Sequence, residues 1–156
     1  KKGKYDKRES FMDSLITKTP DIRFDLYGME SKQPVWADNF INAISQSKMG
    51  INLSQGKPVK YYSSDRLAQL VGNGLLVLVD KKTQFTDFFT DKELIFYKNI
   101  DDLSEKILKY SRDNVERSKI AKKGRDKYFK YFNSTLVAEY IINKTFGSKK
   151  RYYWDK

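Results

Sequence analysis

The sequence predicts an α/β fold, a doubly wound parallel sheet of about four to five strands, on three observations. Apolar spacing switches repeatedly between helical and extended periods along the chain. The run Leu75–Val79 (LLVLV) has no polar alternation, as a strand covered on both faces requires. Helix-length segments separate the strand patterns, the spacing that parallel strands need for their crossovers.

Each element has its own signal. Arg8–Lys18 carries Phe11, Met12, Leu15 and Ile16 at helical spacing, and Thr19-Pro20 stops it. Ile22–Tyr27 alternates as a strand ending at Gly28, and Pro34 opposes regular structure in the loop that follows. A helix over 37–47 places Phe40, Ile41 and Ile44 on one face, and Met49–Leu53 is a short apolar strand. Asp65–Gly72 is a helix, Asn73-Gly74 its stop, and LLVLV the strand beyond it. Phe85–Phe89 reads as a helical turn and Glu93–Tyr97 as a fourth strand. Asn99 opens a helix to about Tyr110, Asn114–Phe132 is a long basic helix, and Asn133 or Ser134 caps the last helix to Asn143.

The first recognisable element is a helix, whereas a doubly wound sheet normally begins with a strand. The sequence is therefore expected to start downstream of its first strand. One domain is expected over 1–147, with a basic aromatic tail at 148–156, either an interfacial segment or a disordered end.

Composition removes several chemistries. The 156 residues include no Cys and no His, which excludes disulfides, thiolate nucleophiles, Ser-His-Asp triads and imidazole or thiolate metal sites. A general base would be a carboxylate or come from another segment. No apolar run reaches the roughly 18–20 residues that span a bilayer, and the first eight residues lack the apolar centre of a signal peptide. The net charge is +11 and is unevenly placed, with +4 at 1–8, +6 at 117–130 and +3 at 148–156. A solvated helix face with basic tails explains that distribution, and so does contact with anionic lipid.

Chemistry concentrates in Ser63–Asp80 (SSDRLAQLVGNGLLVLVD). In open parallel sheets ligands lie beyond the carboxyl ends of the strands, and the loop 54–64 there leads into the helix from Asp65. Ser63 or Ser64 can cap that helix, leaving first-turn amides for an anion, and Arg66 can grip a phosphate with two donors. The competing explanation is an ordinary N-cap with a surface arginine. Tyr61 and Tyr62 can stack on a base or simply pack, Asp25 and Tyr27 can face the cleft or its rim, and Asp65 suits a helix N-terminus.

At these residues the chain resembles the C-terminal, donor-binding half of GT-B glycosyltransferases, most closely the group-1 enzymes of the CgeB-like branch. The resemblance rests on Ser64-Asp65-Arg66, on Gln69-Leu70-Val71-Gly72-Asn73-Gly74, and on the strand LLVLVD. Further matches are FDLYG at 24–28, SKMGINLS at 47–54 and ERSKIAKKGRDKYFKYFN at 116–133. It implies a Rossmann-like domain in which Arg66 steadies a donor diphosphate and Gly74 lets helix and sheet pack closely. Gln69 stands where the family has a glutamate that accepts from the donor ribose, and Tyr61 where it has an earlier glutamate. The implied donor-binding set is Arg66, Ser63, Ser64, Gln69, Gly74, Tyr61 and Asn73, with no metal, no cofactor and no catalytic residue assigned. The nucleotide-diphosphate sugar is a substrate, and the acceptor half and catalytic base belong to an N-terminal domain. The implied setting is a bacterial, cytoplasmic or membrane-peripheral enzyme of cell-envelope polysaccharide, acting on a glycan or lipid-linked acceptor.

Two other classes stay open. High pI, many tyrosines and the helix over 117–130 suit a non-catalytic nucleic-acid-binding module, although no nucleic-acid motif appears. The departures at Tyr61 and Gln69 suit a degenerate domain kept for protein interaction.

Overall fold

The computed structural model describes residues 7–29, 32–54 and 56–155. The basic run at 1–6 lies outside the described residues. The elements are α1 (Lys7–Lys18), α2 (Ala37–Ser45), β1 (Met49–Asn52), α3 (Asp65–Gly72), β2 (Leu76–Asp80), β3 (Ile95–Tyr97), α4 (Ile100–Arg112), α5 (Asn114–Tyr131) and α6 (Ser134–Thr145). Two short 3-10 turns, Lys81–Thr83 and Phe85–Asp87, join β2 to β3.

Local chemistry sets several of these boundaries. The Thr19 hydroxyl donates to the Leu15 carbonyl at 2.7 Å, closing α1 before Pro20. Asn99 accepts from the Asp102 amide at 2.9 Å, Asp113 from Glu116 at 2.8 Å and Asn133 from Leu136 at 2.9 Å, each satisfying an N-terminal donor. Asn133, not Ser134, is thus the cap of α6.

The sheet has the order β1-β2-β3, all parallel, with Met49 opposite Leu76 and Leu78 opposite Ile95. Leu76 and Leu78 enter a core with α1, α4 and Ile120 of α5. Val77 and Val79 enter a second core with Ile44, α3, Phe85, Phe88 and Phe89. The result is a three-layer α/β/α sandwich with the sheet in the middle.

Three strands form among the described residues, rather than four to five. Residues 22–27 are the difference: they run extended without joining the sheet. Ile22, Phe24 and Leu26 pack on the first core, while Arg23, Asp25 and Tyr27 face solvent. Alternation reports which side of an extended segment is buried, and that is true here; it does not report ladder bonds. At the other end, residues 148–155 are no loose tail. Tyr153 stacks on Tyr131 at 4.3 Å and donates its hydroxyl to the Phe88 carbonyl at 2.9 Å. Trp154 stacks on Phe132 at 5.7 Å, and Asn143 of α6 donates to the Tyr152 hydroxyl at 2.5 Å. Among the described residues no helix is long and apolar enough to cross a membrane.

Helix α5 approaches the sheet through Gly124. A Cβ there would meet the Glu93 carbonyl oxygen at 2.2 Å. Its cations are used as braces: Arg117 is buried and donates to the Tyr110 carbonyl at 2.9 Å, Arg125 donates to the Gly72 carbonyl at 3.0 Å, and Lys127 pairs with Glu93 at 3.5 Å. Gly124→Ala is therefore expected to cost about 1–3 kcal/mol by overpacking. Gly74→Ala has open space but φ +81°, and should cost about 1–2 kcal/mol from backbone strain. Urea unfolding measures both.

Burial raises the Glu93 pKa, but the Thr90 hydroxyl and amide, together with Lys127, outweigh it and hold the carboxyl below its ordinary value. A depressed folded pKa gives stability that is present above the unfolded value and lost as pH falls through the folded one. Glu93→Gln should thus lower stability at neutral pH and flatten the acid limb below about pH 4.3, read from urea midpoints across that range.

Candidate functional site

The carboxyl ends of β1 and β2 open on two loops, 53–64 and 80–89. Ser64 has the extended backbone of an N-cap (φ −78°, ψ 167°), yet its side chain makes no capping bond to α3. The first turn closes instead through the Leu67 amide on the Ser64 carbonyl at 3.1 Å. Arg66, half-buried in that turn, donates from Nη1 to the Leu53 carbonyl at 3.3 Å. One donor of the guanidinium thus ties α3 to the end of β1, and the fork has others. Arg66 also lines a cleft of about 790 Å³ that runs past Tyr27 and Gly28 along the outer edge of β1.

On the other side of the α3 N-terminus, Tyr61 and Ser63 border a pocket of about 340 Å³ floored by Phe85, Phe88 and Phe89 and walled by Phe132 and Trp154. Tyr61 has φ +58°, and its amide donates to the Thr83 carbonyl at 2.8 Å. Its ring meets Phe88 at a centroid distance of 4.9 Å, and its hydroxyl donates to Asp87 Oδ2 at 2.5 Å. That bond to the carboxylate, with some burial, pushes the phenol pKa above its ordinary value. Tyr97 ends β3 in the core, where burial and nearby Asp80 raise its pKa further.

The structure therefore gathers Tyr61, Ser63, Ser64 and Arg66 around the start of α3. It does not bring Asn73 and Gly74 there. They follow the far end of an eight-residue helix, about 12 Å away. Asn73 bonds back to the Gln69 carbonyl at 2.7 Å, and Gly74 serves its positive φ, not close packing, since the nearest atom to a Cβ there is Arg125 Cδ at 3.9 Å. Gln69 lies exposed on the outer face of α3.

Sequence reasoning missed Asp87 and Trp154. Asp87 carries no motif, and Trp154 reaches the pocket only through the return of the last segment. Among the described residues no group of three His, Cys, Asp or Glu side chains converges as a metal site would need.

A family model for glycosyl transferase-like domains matches residues 7–143. The chain belongs to that family. The match supports a glycosyltransferase domain, and the α/β/α sandwich with its parallel sheet is consistent with a Rossmann-like fold. No curated protein and no solved structure matches the chain.

In this glycosyl transferase-like domain the last segment walls the aromatic pocket and holds the loop that carries Phe88. Trp154→Ala is expected to cost about 2–4 kcal/mol and to speed amide exchange over 85–89. Unchanged exchange in that loop, measured by hydrogen–deuterium mass spectrometry, would show that the segment only covers it.

Proposed function

We propose that this chain is the donor-binding half of a GT-B glycosyltransferase of the CgeB-like branch. It holds a nucleotide-diphosphate sugar for transfer to a glycan or lipid-linked acceptor. The observation that carries the reading is Arg66, set in the first turn of α3, anchored on Leu53 and opening on the cleft.

A guanidinium beside helix N-terminal amides is suited to a diphosphate. Both are fixed before the ligand arrives, so they stabilise negative charge that develops on the leaving diphosphate without reorganising. Tyr61 and Ser63 stand next to that position, on the pocket side. Gly74 and Asn73 shape the end of the helix, and their part is to place it. A cytoplasmic face of the membrane is the proposed setting, with the outward Ile141 and Ile142 of α6 and Phe146 just beyond it as its peripheral contact. The nucleic-acid reading loses support because Arg117, Arg125 and Lys127 are already engaged within the fold.

Calorimetry and thermal shift with UDP, GDP and their hexose conjugates test the proposal. Saturating ligand at about 100 times Kd should stabilise the domain by about 2.7 kcal/mol. Arg66→Ala should weaken binding by about ten- to a hundredfold, and Arg66→Lys by less, since it keeps the charge and loses the fork. The reading fails if no nucleotide binds, or if Arg66→Ala binds as well as the native chain with its circular dichroism intact.

A further inference from the structure

The start of α3 is held from outside the helix. Its cap residue, Ser64, makes no side-chain capping bond, and the first turn closes through the Leu67 amide on the Ser64 carbonyl. Ties to neighbouring loops fix that turn in place. Arg66 donates to the Leu53 carbonyl on one side, and on the other Tyr61 reaches across to the loop 80–89. The Tyr61 amide donates to the Thr83 carbonyl at 2.8 Å, its hydroxyl donates to Asp87 Oδ2 at 2.5 Å, and its ring lies 4.9 Å from that of Phe88. A hydroxyl on a carboxylate is a charge-assisted bond, roughly twice as strong as a neutral one.

The backbone shows that this grip is needed. Tyr61 has φ +58°, a left-handed conformation that is costly for a residue with a bulky side chain and persists only where its surroundings impose it. A turn that needed nothing but positive φ would be better served by Gly or Asn. Tyrosine suits the position only for what its ring and hydroxyl hold.

The other half of the grip is well fastened. Asp80 caps the turn Lys81–Thr83 through the Lys82 amide at 2.8 Å, and the Thr83 hydroxyl donates back to the Asp80 carbonyl at 2.7 Å. Gln84 follows with φ +57°, and the Asp87 amide bonds to its carbonyl at 3.1 Å. Phe88 is buried, and its carbonyl accepts from the Tyr153 hydroxyl. Asp87 thus rides on a segment fastened to β2 at one end and to the last segment of the chain at the other.

We propose that Asp87 and Tyr61 form a latch that sets the start of α3, which makes Asp87 a positioning residue for the anion site. Closed, the latch holds residues 62–64 in the path that presents the first-turn amides together with Arg66. Open, Tyr61 relaxes to negative φ and the uncapped first turn frays. The consequence for a ligand rests on the reading of Arg66 as the diphosphate contact, and the consequence for α3 does not.

Amide exchange by NMR, and calorimetry with UDP and GDP, test the latch in Tyr61→Phe, Asp87→Ala and Asp87→Asn. The hydrogen-bonded amides of Tyr61, Tyr62 and Leu67 should exchange at least about threefold faster in Tyr61→Phe and Asp87→Ala. Asp87→Asn keeps an oxygen that accepts from the hydroxyl and should stay within about twofold of the native chain. Combining Tyr61→Phe with Asp87→Ala should be no worse than either alone, because both break one bond. Whichever nucleotide the native chain binds should bind about three- to tenfold more weakly to Tyr61→Phe and Asp87→Ala, with Asp87→Asn near native. That loss should shrink when Arg66→Ala is already present, which a general loss of stability would not produce. If Asp87→Ala does not fold, Tyr61→Phe decides, since it keeps the ring against Phe88. The latch is overturned if the three amides exchange at native rates in Tyr61→Phe. The positioning role is overturned if they exchange faster while the nucleotide binds as before. If the native chain binds no nucleotide, the donor reading fails instead, and exchange alone decides the latch.

Discussion

The structure depends on the two-sided burial of β2. Leu76, Val77, Leu78 and Val79 are all fully buried, with alternate residues in two separate cores. A strand with apolar groups on both faces can be stable only with helices above and below it and parallel neighbours beside it. A slip of one residue would exchange the Leu and Val rows between cores built for different partners, so the register is fixed. Everything chemically useful then lies at the strand ends. The start of α3 is brought there by the short crossover from β1, and the loop 80–89 by the exit of β2.

That constraint was legible because it was written locally. LLVLV names a buried strand wherever it occurs, and Asp65–Gly72 with its Asn-Gly stop names a helix. The features that misled are those whose meaning depends on distant partners. Residues 22–27 show true alternation, but the partner edge that would make them a strand is not adjacent. Ser64 is of the right type and backbone conformation to cap α3, yet its side chain makes no capping bond. The segment 148–155 has the composition of a solvated tail, and only its docking on Tyr131, Phe132 and Phe88 shows that it belongs to the fold. Gly124, within KKGRDK, reads as a surface residue until the Glu93 carbonyl is placed against it.

Charge was the least transparent signal. The helix α5 concentrates positive charge, and a count alone points to a polyanion. The structure divides that count. Arg117 sits in the core edge on two oxygen acceptors, Arg125 satisfies a carbonyl at the end of α3, and Lys122 pairs with Asp126 at 2.7 Å. Cations that satisfy carbonyl groups at helix ends are structural in the same sense as a cap. The residual positive field can raise the local concentration of anions near the domain, but it is not focused on the site.

The site itself separates binding from chemistry. Its fixed positive groups, Arg66 and the first turn of α3, have the right sign for a leaving diphosphate. The resemblance to GT-B donor halves implies glutamates at two positions that here hold Tyr61 and Gln69. Tyr61 is held by Asp87 in a bond that favours its neutral form, so it is a donor at neutral pH and not a base. Gln69 faces solvent and has no proton to exchange in that range. With no histidine in the chain, a base that this chain itself supplied for an acceptor hydroxyl would be a carboxylate. Asp87 is the acid nearest to Tyr61, but its place is beside the aromatic pocket, across the start of α3 from the Arg66 cleft. A division of labour follows under the proposed reading: this domain holds the donor and stabilises the departing charge, and activation of the acceptor is supplied from the other side of the cleft.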